Sequence, residues 1–247
     1  LMLAIGIMLA LFTAQRLARR DGINSDRVFD LGLWTVIGGL LGSKALMLLV
    51  DPSANLFSLD FLRSAGVFYG GLIGGFLTLV GLMYYYRLNF WKVADAFAPG
   101  VALGQFFGRQ GCNAAGCCWG KPTDLPWGVQ FSPLGHEYTG VPIYDETGAD
   151  LHLHPVQLYE SFAMLIVFGI LIYFHRRKKF NGQIIIMYLI FYPIIRFTIE
   201  FSRDDPRGNF LGLSDLTGLS TSQMISLIVA IASMTFLYFR LGKKENI

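Results

Sequence analysis

Seven apolar stretches, separated by charged or turn-forming residues, run along the chain at about 2–17, 29–50, 65–86, 93–113, 155–174, 183–202 and 221–239. A helix needs roughly 20 apolar residues to cross the hydrocarbon core of a bilayer. Only helices and closed barrels satisfy their own backbone polar groups where no water reaches. The pattern therefore predicts an all-α integral membrane protein with seven transmembrane helices. The fourth stretch holds Pro99, several glycines and Arg109, so a broken or partly re-entrant segment is expected there. The first stretch has the apolar look of a signal peptide. Its basic residues Arg16, Arg19 and Arg20 follow the apolar run instead of preceding it, and no small-residue cleavage site is present, so a spanning helix is expected. The sequence starts at Leu1 rather than Met, which leads us to expect a trimmed start.

Between the fourth and fifth stretches, residues 114–154 carry Pro122, Pro126, Trp127, Pro133, Pro142 and several acids. Long loops in compact proteins are generally functional elements such as lids. The expected organisation is one polytopic membrane domain over 1–247, with 114–154 as an extracytoplasmic loop or head insertion between the fourth and fifth spans.

Composition supports this class. Hydrophobic residues make up 53% of the chain and charged residues only 15%, against about 25% in soluble domains. The net charge of +3 matters less than where the charges lie, and no nucleic-acid partner is expected. Thirteen of the 20 Lys and Arg fall on one side of the predicted spans, including Arg16, Arg87, Arg176, Arg177, Lys178, Lys179 and Arg240. Arg63, Lys121, Arg203 and Arg207 fall on the other. Cytoplasmic loops carry the excess of Lys and Arg, which puts the C-terminus in the cytoplasm and the N-terminus outside. An odd number of crossings requires the same.

Ionisable residues within the spans carry the candidate chemistry, because charge in a bilayer is costly and usually functional. Arg196, Glu200 and Arg203 are spaced i, i+4 and i+7, one face of a helix. They read either as a self-satisfied ion pair with a snorkelling arginine or as an anion clamp. In the clamp, Glu200 orients one guanidinium while the others grip phosphate oxygens bidentately. Arg109 sits between Gly108 and Gly111 at the same expected depth, and flanking glycines permit close approach. Tyr69-Gly70-Gly71 opens the third span and His154-Pro155-Val156-Gln157-Leu158-Tyr159-Glu160 the fifth. Small-residue helix packing and polar capping account for these individually. Their convergence at one depth is the stronger signal. Cys112, Cys117 and Cys118 fall within seven residues. Packing, a redox pair and soft-metal ligation are all open, although their spacing matches no standard zinc pattern, and no metal or other cofactor is expected.

The combination Gly108-Arg109-Gln110-Gly111, Gly120-Lys121-Pro122-Thr123-Asp124, His154-Pro155-Val156-Gln157-Leu158-Tyr159-Glu160 and Arg196-Phe197-Thr198-Ile199-Glu200-Phe201-Ser202-Arg203 resembles the phosphatidylglycerol–prolipoprotein diacylglyceryl transferase family. The likeness covers about residues 2–240 and includes Gly70-Gly71-Leu72-Ile73-Gly74. It implies transfer of diacylglyceryl from phosphatidylglycerol to the lipobox cysteine thiol of a preprolipoprotein signal peptide. Glycerol phosphate is released, in the bacterial cytoplasmic (inner) membrane. Arg109, Gly120, Arg196, Glu200, Arg203, His154, Gln157 and Tyr192 match positions the family uses.

Departures from the family pattern are specific. Tyr69 stands where most members carry the His credited with activating the substrate thiol. Cys112 replaces an Asn and Cys117 an acid, as in a cysteine-rich Gly-Cys-Cys branch. The usual N-terminal segment with an early tyrosine is absent, in keeping with the trimmed start.

The expected catalytic set is Arg109, Arg196, Glu200, Arg203, His154 and Tyr69. Gly70, Gly71, Gly108, Gly120, Gln157 and Tyr192 are the expected substrate contacts. A thiol is a few per cent ionised near neutral pH, and nearby arginines favour the thiolate, so Tyr69 is expected to contact ligand and His154 to take the proton. The competing classes are a membrane thiol oxidoreductase built on the three cysteines, a family paralogue with a different acceptor, and a lipid-binding or transport protein. Transport would predict repeat symmetry, and no repeat is visible.

Overall fold

A computed structural model describes residues 1–50, 67–204 and 217–242. Among them are eight α-helices and no extended strand: α1 (Met2–Arg20), α2 (Ser25–Val50), α3 (Phe68–Tyr86), α4 (Phe90–Ala115), α5 (Pro133–Thr139), α6 (Val156–His175), α7 (Gln183–Glu200) and α8 (Thr221–Gly242). Five of them, α1, α2, α6, α7 and α8, are long and apolar enough to cross a membrane. The chain is thus a multi-pass membrane protein. The apolar part of α3, Tyr69–Tyr85, is shorter. Residues 65 and 66 of the predicted third span lie outside the described residues, as do Arg63, Arg207, Lys243 and Lys244 of the charge count.

The fourth stretch differs from expectation. It is one continuous helix that passes through Pro99. A proline inside a helix loses one backbone hydrogen bond, which is tolerated where neighbours satisfy the freed carbonyl. Pro99 is fully buried, as that requires.

The chain forms two compact units, Leu1–Ala10 with Phe97–Ile247, and Leu11–Ala96. In the second unit α2 and α3 pack at very short range. Gly38 and Gly42 face Gly70 and Gly74, and a Cβ on Gly42 would lie 2.9 Å from the Gly74 Cα. Glycine is needed there because two backbones touch, as in small-residue membrane interfaces.

The first unit packs α6 and α8 against α7. One core holds Ala98, Ala102, Met164, Val167, Leu171, Ile184 and Tyr188. The residues after α4 form an irregular head with its own small core of Phe131, Val141, Ile143 and Leu153. Its one helix, α5, starts at Ser132, whose Oγ accepts from Gly135 N–H at 3.1 Å, and stops at left-handed Gly140. A capping box opens α8: Ser220 Oγ accepts from Gln223 N–H at 3.2 Å and Gln223 Oε1 accepts from Ser220 N–H at 2.9 Å.

Candidate active site

In the first unit, ionised side chains from α4, α6, α7 and the turn after α7 meet in an alternating series. Arg109 contacts Glu160 at 2.9 Å, and Glu160 lies 3.9 Å from Arg203. Arg203 lies 3.9 Å from Glu200, and Glu200 pairs with Arg196 at 2.6 Å. Both carboxylates are buried, as are Arg196 and Arg203, whereas the Arg109 side chain keeps 20% of its surface accessible. Three guanidiniums and two carboxylates leave one surplus positive charge. Buried ions are tolerated only when paired and hydrogen-bonded. Ser220 Oγ donates to Glu200 Oε1 at 2.7 Å, and Arg196 donates to Ser222 Oγ at 3.3 Å.

Arg203 lies just past the helix, which ends at Glu200, and it reaches Glu200 from the following turn, where the chain also meets the head. Gly120 and Arg203 form an isolated antiparallel bridge, with Lys121 N–H donating to Ser202 O at 2.9 Å. The Phe201, Ser202 and Arg203 N–H groups still donate back to Thr198, Ile199 and Glu200 O, a tighter turn that brings Arg203 beside Glu200. Beside it an open depression of about 370 Å³ is lined by Lys121, Glu200, Phe201, Arg203, Asp204, Gly218, Ser220 and Gln223.

The remaining expected residues divide by position. Gly120 is wedged between two backbones, since a Cβ there would meet Ser202 O at 2.7 Å and the His154 Cβ at 2.7 Å. Its lack of a side chain lets the head reach Arg203. Gln157, fully buried on α6, donates from Nε2 to Cys117 O at 2.8 Å. The His154 Nδ1 lies 3.2 Å from Tyr159 Oη, which also accepts from Trp127 Nε1–H at 2.8 Å. Tyr192 stacks on Tyr188 with ring centroids 5.7 Å apart, and Tyr188 Oη donates to Gln105 at 3.0 Å. Open space surrounds Gly108 where a Cβ would be. Tyr69, Gly70 and Gly71 belong to the second unit. Tyr69 is exposed there, and Gly70 packs on Gly42.

Sequence reasoning read Glu160 as a polar cap and left it out of the expected site, where it is the carboxylate between Arg109 and Arg203. A glutamate one turn into a helix reads as a polar cap. Its signal was the glutamate's place inside an apolar span, where an acid needs a partner. Ser220 was missed as well, and its capping box was the available clue.

The three cysteines are free, and their sulfurs lie within 4.8 Å of one another. Hydrogen bonds from Cys112 and Cys117, with the Arg203 guanidinium nearby, hold the Cys118 thiol well below the usual thiol range. Cys117 is pushed above it by its bonds to Cys112 and Cys118 and by burial.

Comparison with known proteins decides the family. The prolipoprotein diacylglyceryl transferase family model matches residues 1–239. The chain belongs to the prolipoprotein diacylglyceryl transferase family. A phosphatidylglycerol–prolipoprotein diacylglyceryl transferase of Clostridium tetani is 36% identical over 236 residues, 93% of this chain and 87% of that protein. One of Clostridium perfringens is 35% identical over 240 residues, 94% and 86% of the two chains. One of Finegoldia magna is 32% identical over 239 residues, 95% and 87%. The match to the transferase family thus takes in all of α1 to α7, the head, and every residue of the charged series.

Proposed function

We propose that this member of the family transfers the diacylglyceryl group of phosphatidylglycerol to the cysteine thiol of a prolipoprotein lipobox. The observation that carries this reading is the alternating series Arg109–Glu160–Arg203–Glu200–Arg196 with its surplus positive charge. A phosphodiester headgroup carries one negative charge and makes the series neutral. Arginines suit the headgroup because their planar forks match phosphate oxygens.

In the reaction the substrate sulfur attacks the glyceryl carbon bonded to the phosphate oxygen. A carbon–sulfur bond forms, the carbon–oxygen bond breaks, and the electron pair leaves on glycerol phosphate. The thiol proton passes to a base, for which His154 is the nominee. Negative charge grows on the leaving oxygen, where pre-placed guanidiniums act most strongly in a water-poor site. Arg109 is the accessible member and makes first contact with the headgroup. Arg203 and Arg196 complete the clamp, while Glu160 and Glu200 hold the guanidiniums in place. Gly108, open where a side chain would be, is assigned to the path of the substrate lipid or peptide, and the exposed Tyr69 to a substrate contact. Gln157, Tyr192 and Gly120 support the site wall, while Gly70 and Gly71 seat α3 on α2.

The same reading takes the whole chain as one membrane domain of seven spans in the bacterial cytoplasmic membrane. The N-terminus and the head at 114–154 lie outside and the C-terminus in the cytoplasm, following the Lys and Arg bias. The test is purified protein in detergent with phosphatidylglycerol labelled in its acylglycerol part and a lipobox peptide. Label on the peptide thiol is expected, with the rate reduced roughly 10²–10³-fold by Arg109→Ala. Absence of transfer, or an unaltered rate in that variant, overturns the assignment.

A further inference from the structure

The cysteine cluster is not used by the transfer chemistry, and its geometry is that of a ligand set. Consecutive side chains of an extended strand point to opposite faces, so adjacent Cys117 and Cys118 would normally diverge. Here the backbone is left-handed at Gly116 (φ 74°) and at Cys118 (φ 62°). A left-handed residue other than glycine is disfavoured by about 1–2 kcal/mol, and such strain gathers at functional sites. The turn brings both thiols back to Cys112 at the end of α4, with Cys117 N–H donating to Cys112 O at 3.1 Å. Gln157 fastens the same turn to α6 through Cys117 O.

We propose that Cys112, Cys117 and Cys118 form a trigonal binding site for a soft, thiophilic monovalent cation, Cu(I) in kind. Among the described residues no imidazole or carboxylate joins the three sulfurs. Thiolate ligands select soft ions over magnesium or calcium. Structural zinc takes four protein ligands, and this set offers three. The triangle is close to the required size. Metal–sulfur bonds of about 2.3 Å correspond to sulfur–sulfur separations of about 4.0 Å, against separations within 4.8 Å here. Each sulfur then needs to move inward by only about 0.5 Å, a side-chain adjustment.

Three thiolates and one monovalent cation carry two negative charges. The Arg203 guanidinium lies near Cys118, and Arg109 lies near Cys112 and Cys118. A bound ion would tie the end of α4 to the turn that leads to Gly120, and so fix the backbone that meets Arg203. The proposal does not rest on the transfer reaction, and its test reads binding alone.

The experiment uses the full chain in detergent, reduced and kept without oxygen, and titrated with Cu(I) against a chromophoric copper chelator. One Cu(I) per chain is expected, with metal–thiolate absorption in the ultraviolet. Cys112→Ser, Cys117→Ser and Cys118→Ser should each weaken binding about 100-fold or more, with elution on gel filtration unchanged. Where a variant fails to fold, the parent protein decides: bound Cu(I) should protect all three thiols from alkylation by maleimide. No retained Cu(I) in the parent, equal binding in the triple serine variant, or thiols alkylated equally with and without Cu(I) would each overturn the site.

Discussion

Replacing Glu160 with Gln keeps the side-chain volume and removes the negative charge shared by Arg109 and Arg203. At an effective dielectric constant of about 20, the attraction lost is about 6 kcal/mol toward Arg109 at 2.9 Å and about 4 kcal/mol toward Arg203 at 3.9 Å. Removing the carboxylate's own desolvation penalty, several kcal/mol, offsets much of this. Breaking a buried ion pair from one side typically destabilises by about 3–5 kcal/mol, because the partner charge stays buried. In a chain of this size each kcal/mol lowers Tm by about 2–4 °C, so a fall of about 10 °C is expected. Thermal unfolding in detergent, followed by tryptophan fluorescence, measures it. Combining Glu160→Gln with Arg109→Gln should cost about 1–3 kcal/mol less than the sum of the single losses, since the second change relieves an unpaired arginine. A Glu160→Gln protein melting within about 2 °C of the parent, or a strictly additive pair, would mean that Glu160 does not hold the two arginines together.

Other outcomes follow from the same geometry. Gly120→Ala places a methyl group 2.7 Å from Ser202 O, so the head should lose its seat beside Arg203, with at least about 1–3 kcal/mol lost and transfer impaired; a normal melt and normal rate would show that this close approach is dispensable. Ser220→Ala removes both the donor to Glu200 and the cap of α8, and should cost about 1–2 kcal/mol in the same melt; no change would mean that Glu200 finds an equivalent donor. Tyr69→Phe should slow transfer in the phosphatidylglycerol assay if its hydroxyl contacts substrate, and unaltered kinetics would remove Tyr69 from the site.

The apolar runs were legible because burial in lipid leaves a simple signature, and every predicted run with described residues holds a helix. Pro99 misled because a proline signals a break from local sequence, whereas burial among neighbours lets the helix continue. Arg196 and Glu200 were legible as a pair because one helical turn separates them. Arg203 was expected on the same face by extrapolating that helix, yet it reaches Glu200 from a turn held by Gly120. Glu160 was hidden because both of its partners come from distant segments, and no local spacing records that. The three cysteines were visible as neighbours in the chain, but the meeting of their sulfurs was not: left-handed residues at Gly116 and Cys118 create it, and Cys118 gives no hint of a left-handed backbone.

The odd number of charges in the series has a kinetic consequence. A phosphodiester brings one negative charge to the cluster, whereas the phosphate monoester that leaves carries about −1.5 to −2 at neutral pH. Under the function proposed above, the series attracts the by-product's phosphate at least as strongly as the lipid's, so inorganic phosphate should slow transfer by competing for the same guanidiniums.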